Sequence, residues 1–442
     1  MSTEQFDPHY ADPRRAWYAV AVLMVAYTFS FIDRSILSLL VVPIRRDLGI
    51  SDTGFSLLHG FAFAIFYTAL GIPIARLADR HTRKVIVSVG IVIWSVATAL
   101  CGVARNFGQL FAARVAVGVG EASLSPAAYS MITDMFPRER LGRALGVYNV
   151  GVFLGSGLAL IIGGAVVASV SDVATVTLPV LGDLRGWQIV FFAVGLPGVL
   201  VALLTAALRE PVRTGTGSSE QIPLRVVLAF LGRNWKTFCA HFFGFSALTL
   251  LFNGLFAWSP TLMIRKFGIT GGEAGLYLGV ITLLFSTTGI MAGGLLADRL
   301  GRAGHADATI RTGLIAACAV GPFAIAAPLM PNLPLTLLMY CPLMFFISFP
   351  WAAAAAALQI VSPARMRAQV SAVYLFLVNL AGIGFGPTAI ALITDFVFRR
   401  DDALPWSLAI IGLASPMLGA CLLWAGLKPF RRSLAAQEAA AA

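Results

Sequence analysis

Charge is what this chain has least of. Asp, Glu, Lys and Arg together make up 12% of its 442 residues, where a soluble globular domain carries about 25%. That shortage excludes a water-soluble enzyme, a disordered protein and a receptor with a single membrane anchor. Cysteine is scarce as well. Cys101, Cys239, Cys318, Cys341 and Cys421 all lie in apolar runs and no two form a CxxC, so they read as small buried hydrophobes, neither disulfides nor metal ligands. No nucleophile is clustered with a base and no His and Asp residues are spaced as metal ligands, so neither an enzyme nor a cofactor is expected. The net charge of +11 has no basic patch on a soluble segment behind it, which argues against nucleic acid as a partner. The polar–apolar alternation of an outer-membrane barrel is missing too.

What is present is hydrophobic surface. Apolar residues reach 58%, enough for about twelve membrane helices of about 21 residues. Apolar segments cover residues 16–42, 53–75, 85–104, 107–132, 143–170, 188–208, 236–262, 273–296, 311–330, 333–358, 367–393 and 405–427. They predict an all-α membrane protein of twelve transmembrane spans. The first fifteen residues are polar and end in Arg14-Arg15; the apolar run behind them is too long for a signal peptide, so span 1 is retained. The longest polar break runs from Arg209 to Lys236 and holds Thr214-Gly215-Thr216-Gly217-Ser218-Ser219, the composition of a flexible linker. The expected layout is a six-helix bundle over 1–208, a cytoplasmic linker over 209–235 and a second bundle over 236–442. With a cytoplasmic start, about 22 Lys and Arg fall in inner segments and about 8 in outer ones. Both ends are therefore expected in the cytoplasm of a multi-pass cell-membrane protein, working as a monomer.

The halves repeat. ARLADRHTRK, Ala75 to Lys84, follows span 2, and GLLADRLGR, Gly294 to Arg302, follows span 8. Pro137, Val147 and Tyr148 are echoed at one common offset by Pro363, Val373 and Tyr374. This six-plus-six pseudo-symmetric arrangement resembles the major facilitator superfamily over nearly the whole chain. The second copy carries that family's Gly-xxx-Asp-Arg-x-Gly-Arg loop in full, while the first has Ala75 and Thr82 where glycines are usual. Physically, such loops are latches. Asp79, Arg80, Arg83, Asp298, Arg299 and Arg302, with Asp134 at the end of span 4, can pair across a closed cytoplasmic mouth.

Ionisable residues inside the spans are few. Span 1 carries Asp33 and Arg34, and span 4 carries Arg114 and Glu121. A charge at mid-bilayer costs about 2.5–3.5 kcal/mol, so these four must face one another or a wet cavity. Arg114, Gly118, Glu121 and Ser125 are spaced i, i+4, i+7 and i+11 and share one helix face. Counting rise per residue from the outer surface, Asp33 lies about 13 Å deep, Arg114 about 10 Å and Glu121 about 21 Å. An Arg–Asp layer on the outer side is expected, with a lone carboxylate deeper in. The carboxyls of Asp33 and Glu121 suit proton binding, and the forked donors of Arg34 and Arg114 suit an anionic head group.

The second half is different. Span 7 offers Phe242, Phe243, Phe245, Phe252, Phe256 and Trp258; span 10 offers Met344, Phe345, Phe346, Phe349 and Trp351. In the superfamily, spans 1, 4, 7 and 10 line the central cavity, so the resemblance implies one charged wall and one apolar wall. Tyr67, Ser125, Asn149, His241, Asn253, Gln359, Tyr374 and Asn379 are candidate polar lining residues, each equally able to make a helix-to-helix hydrogen bond. The strings RVAVGVGEAS, Arg114 to Ser123, and SFIDRSILS, Ser30 to Ser38, resemble the Spinster branch of the superfamily. Its members are associated with proton-linked movement of lysophospholipids or sphingosine phosphate. The resemblance implies proton sensing and head-group binding at Asp33, Arg34, Arg114 and Glu121. The expected function is proton-coupled secondary transport of an amphipathic anionic or zwitterionic lipid by alternating access. Export or symport of drugs or small organic anions is the rival, and a channel is the rival from another class.

Overall fold

Asp12 opens the first membrane helix. Its side chain accepts the Arg14 N–H at 2.9 Å, and Pro13 takes the first helical position, where its missing N–H costs nothing. The computed structural model describes residues 12–170, 175–178, 182–213, 223–363 and 366–441; Thr214–Ser219 of the expected linker lie outside the described residues. Among the described residues, 11 helices are long and apolar enough to cross a membrane. The fourth span is two shorter helices, Phe107–Glu121 and Leu124–Met135, where one segment over 107–132 was expected. The cause is Pro126. It has no N–H for the Ala122 carbonyl, and its ring crowds that carbonyl, so the helix breaks one turn before it.

The chain gathers into two compact units. The first comprises Met1–Ile50, Ala62–Ser219 and Gly271–Gly279; the second comprises Ser51–Phe61, Glu220–Thr270 and Val280–Ala442. In the first unit, spans 3 and 4 touch backbone to backbone. A Cβ on Gly120 would lie 2.6 Å from the Trp94 nitrogen and 2.7 Å from the Gly90 carbonyl oxygen. Gly118 approaches the Phe63 carbonyl in the same way, which draws span 2 (Ala62–Arg80) onto span 4. The second unit is centred on span 7 (Trp235–Phe267), whose Trp258 donates its indole N–H to the Pro387 carbonyl at 2.9 Å. Tyr340 donates to Ser259 at 2.8 Å nearby.

Three features depart from the sequence reading. A β-hairpin, β1 (Thr175–Leu178) and β2 (Gly182–Arg185), pairs antiparallel between spans 5 and 6. Leu224–Arg233 forms a helix inside the stretch read as linker; its apolar residues recur at helical spacing and bury Val227 while Arg225 and Arg233 stay exposed. The third concerns cysteine. Cys101 is buried, but Cys318 and Cys421 are exposed on the second unit, because an apolar side chain on a membrane helix has no need of the protein interior.

Candidate transport site

The ions of spans 1 and 4 come together inside the first unit. Arg34 and Glu121 form the central pair. Glu121 Oε2 accepts from Arg34 Nε at 2.6 Å and lies 2.5 Å from Arg34 Nη2, and it also accepts the Ser30 hydroxyl at 2.6 Å. Ser30 and Arg34 stand one turn apart on span 1, so both reach the same carboxylate. The Glu121 side chain is 0% exposed and that of Arg34 is 17% exposed. Three rings surround the guanidinium, with centroids 5.1 Å away at Phe31, 4.5 Å at Phe63 and 5.0 Å at Tyr67. Each such ring attracts a cation by about 0.5–2 kcal/mol.

Asp33 and Arg114 are buried behind this pair. The expected Arg–Asp layer is not an ion pair: Arg114 reaches Asp33 through the main-chain carbonyl, at 3.5 Å from Nη1. Asp33 Oδ1 and Arg114 Nε have no hydrogen-bond partner among the described residues. Nor is Glu121 a lone carboxylate. Helix geometry explains the exchange, because adjacent residues point about 100° apart, and Arg34 therefore faces span 2 and Glu121 while Asp33 turns toward span 3. Counting residues along the helices placed Glu121 in a layer of its own, and the bond from Arg34, the neighbour of Asp33, removes that separation.

Other aromatic and polar groups extend the surroundings of Arg34. Tyr27 stacks on Tyr148 with centroids 4.9 Å apart, and Tyr129 meets Tyr148 edge-on. Tyr129 donates to Asn149 Oδ1 at 2.7 Å. Ser125 is half-buried near the start of the helix Leu124–Met135. The tyrosines at 27, 129 and 148 escape a sequence search for charge, although Tyr27 precedes Arg34 at helical spacing and Tyr148 lies in the repeated motif.

The second-half candidates are spread through the second unit. His241 is buried, with Nε2 2.9 Å from the Ala354 carbonyl oxygen, and packs among Phe242, Phe245 and the buried Tyr374. Phe252 meets Phe256 and Trp351 in a separate cluster. Phe345, Phe346 and Phe349 pack on one another, and Phe346 also stacks on Phe323. Asn253 and Asn379 are half-buried, the former donating to the Thr249 carbonyl. Gln359 is exposed and donates to Ser371 at 3.2 Å.

The loop ions behave unequally. Arg83 is 1% exposed and pairs with Asp134 and with Glu210 at 2.8 Å, while its Nη2 donates to the Pro211 carbonyl. Glu210, which no motif flags, accepts the main-chain N–H groups of Arg83 and Lys84 as well. Arg80, Asp298, Arg299 and Arg302 are exposed. The Asp79 side chain lies outside the described residues.

A multi-helix membrane protein whose ions converge from two helices inside one bundle is a transporter in design. The model of the Major Facilitator Superfamily matches residues 23–387, and the chain belongs to that superfamily. It is 28% identical to an MFS-type efflux pump of Mycolicibacterium smegmatis, over 98% of this chain and 97% of that one. It is 28% identical to human Protein spinster homolog 1, over 93% of this chain and 80% of that one. The crystal structure of a bacterial homologue of the human lysosomal transporter Spinster, inward-facing and unoccupied, superposes with a TM-score of 0.79 at 25% identity, covering 96% of this chain and 99% of that one.

Proposed function

We propose that this protein is a proton-coupled secondary transporter of an amphipathic anionic or zwitterionic lipid, of the lysophospholipid or sphingosine-phosphate kind. It works by alternating access in the cell membrane, with both ends in the cytoplasm. One observation carries the reading: Arg34, partly exposed and ringed by aromatics, is held by a buried carboxylate, Glu121. A proton and an anionic head group compete here in a linked way. While Glu121 is ionised, it occupies Arg34. When Glu121 takes a proton, the guanidinium is released to a phosphate or carboxylate. Proton and anion therefore strengthen each other's binding, and by linkage the effect is mutual. The similarity to proteins named spinster supports the lipid class.

The test is uptake into protein-containing vesicles, comparing labelled lysophospholipid with short organic anions, each with and without an imposed pH gradient. Gradient-dependent accumulation of the lysophospholipid is expected, and it should disappear in Glu121→Gln. Accumulation of the short anions alone would favour the second reading, export of small organic anions or drugs, which rests on the relative named an efflux pump and matched over nearly its whole length. Uptake indifferent to pH would remove the proton.

A further inference from the structure

The helix Leu224–Arg233 has no part in the Arg34 site, yet a fixed corner holds it in the second unit. Asn234 joins it to span 7 and makes that corner. Its Nδ2 donates to the Phe230 carbonyl at 3.1 Å, and its Oδ1 accepts from Ser433 Oγ at 3.1 Å. Ser433, near the end of span 12 (Leu404–Ala441), also lies 2.8 Å from the Thr237 hydroxyl. Phe230 and Phe238 meet edge-on with centroids 5.4 Å apart. In a straight helix, residues eight apart are separated by about 12 Å along the axis and their side chains tilt the same way, so the chain bends at Asn234. The short helix therefore lies across the start of span 7, not along it, at the level where a membrane span meets water.

Its faces differ. Val227 is buried, while Val226 and Leu228, about 100° to either side, are 40% and 53% exposed, and Trp235 beyond the corner is 56% exposed. Arg225 stands about 160° from Val227 and Arg233 about 120°, and both are exposed, as is Lys236. The Lys236 ammonium lies 5.7 Å from the Trp235 ring centroid. Arg432, beside Ser433, is a fourth exposed cation brought to this corner. No acidic residue occurs between Gln221 and Gly272. Span 7 thus starts without an acid in its first turn, and Lys236 there adds to the positive end of the helix dipole. Apolar flanks, an indole and clustered Lys and Arg at the end of a span are the make-up of a helix that rests in the headgroup layer.

We propose that the helix Leu224–Arg233, with Trp235 and Lys236, is a binding surface for anionic phospholipid of the membrane that holds span 7. The apolar flanks and the indole enter the acyl boundary, while Arg225, Arg233, Lys236 and Arg432 take the phosphates. Arginine suits a phosphate through its paired N–H donors. A zwitterionic leaflet offers the same apolar layer without net charge, so the lipid selected is one of net negative charge. The surface is separate from Arg34 and does not depend on what the protein transports. Bound lipid bridges the start of span 7 and the end of span 12, which Asn234 and Ser433 already join.

The experiment places full-length protein in nanodiscs of phosphatidylcholine, with or without phosphatidylglycerol, and follows amide hydrogen exchange by mass spectrometry. Exchange over residues 224–234 is expected to slow several-fold when phosphatidylglycerol is present, and high salt should abolish the difference. The variant Arg225→Gln/Arg233→Gln/Lys236→Gln should exchange alike in both discs. Arg399→Gln/Arg400→Gln, at exposed positions just past span 11 (Gln369–Phe398), should keep the difference. Equal exchange of the unaltered protein in both discs overturns the proposal, and so does a difference that survives the triple substitution or high salt. Inorganic phosphate that slows exchange to the same extent in phosphatidylcholine discs would mean an anion patch with no need of lipid, and overturns it as well.

Discussion

At the scale of single residues, the decisive fact is that Arg34 and Glu121 depend on each other. Breaking a buried pair from one side strands the other charge, at about 3–5 kcal/mol, and the partial exposure of Arg34 puts its pair at the lower end. Arg34→Ala should therefore lower the thermal midpoint more than the double variant Arg34→Ala/Glu121→Ala, with a coupling of about 1–3 kcal/mol in the cycle. Additive losses in thermal unfolding would show that the two side chains do not act as a pair. Glu121→Gln keeps the shape and removes only the charge, so the expected phenotype is retained substrate exchange with lost response to a pH gradient. Exchange and gradient-driven uptake measured on the same vesicles decide it; parallel loss of both would point to misfolding. All four ions were legible in the sequence because charge is so rare in the spans that each one is conspicuous. Their pairing was not, since it depends on helix rotation and on Ser30, Phe31, Phe63 and Tyr67, residues of ordinary type whose importance comes from position alone.

At the scale of elements, the site is held by places where helices touch without side chains between them. Gly120 sits one residue before Glu121, and a methyl group there would enter the space of the Trp94 nitrogen at 2.6 Å. Gly120→Ala must push span 3 from span 4, so both the thermal midpoint and transport should fall. Gly146→Ala is the control: no atom lies within 4 Å of its added Cβ, and the change should be neutral or stabilise by about 0.5–1 kcal/mol. Comparable losses from the two substitutions in a melting assay would contradict the backbone contact. Hydropathy located the spans well because length and apolar content are one-dimensional properties. It could not see the break at Ala122-Ser123, where one proline outweighs a continuous apolar run, nor the π-helical turns Leu57–Phe61 and Thr282–Ser286 in the repeated spans 2 and 8. The helix Leu224–Arg233 was legible in its periodicity, but the linker composition on its N-terminal side masked it.

At the scale of the whole molecule, one motif has two outcomes, and the repeat explains why. Aligning Pro137 with Pro363 sets Asp134, three residues before the first, against Ile360, three before the second. The first unit thus supplies an acid at the end of span 4 and a second acid, Glu210, just past span 6, and together they bury Arg83. The second unit has an exposed isoleucine at the matching place. Its motif ions Asp298, Arg299 and Arg302 stay at the surface, while Asp307, a buried acid just past that motif, pairs with Arg311 and Arg431. Exposed pairs are worth about 0–1 kcal/mol, whereas stripping one partner from a buried cluster costs about 3–5 kcal/mol. If these loops form the cytoplasmic latch of the proposed cycle, its strength resides in the first copy. Arg83→Ala leaves both Asp134 and Glu210 without their shared cation, so it should lower the thermal midpoint by several degrees and reduce uptake sharply. Arg302→Ala should change the midpoint little. Adding Asp134→Asn and Glu210→Gln to Arg83→Ala should recover part of the lost stability, since two like charges that had shared one cation are removed with it, but it should not recover transport. Thermal unfolding and vesicle uptake on these three variants measure both sides of the argument, and equal losses from Arg83→Ala and Arg302→Ala would show that the two copies carry the same load.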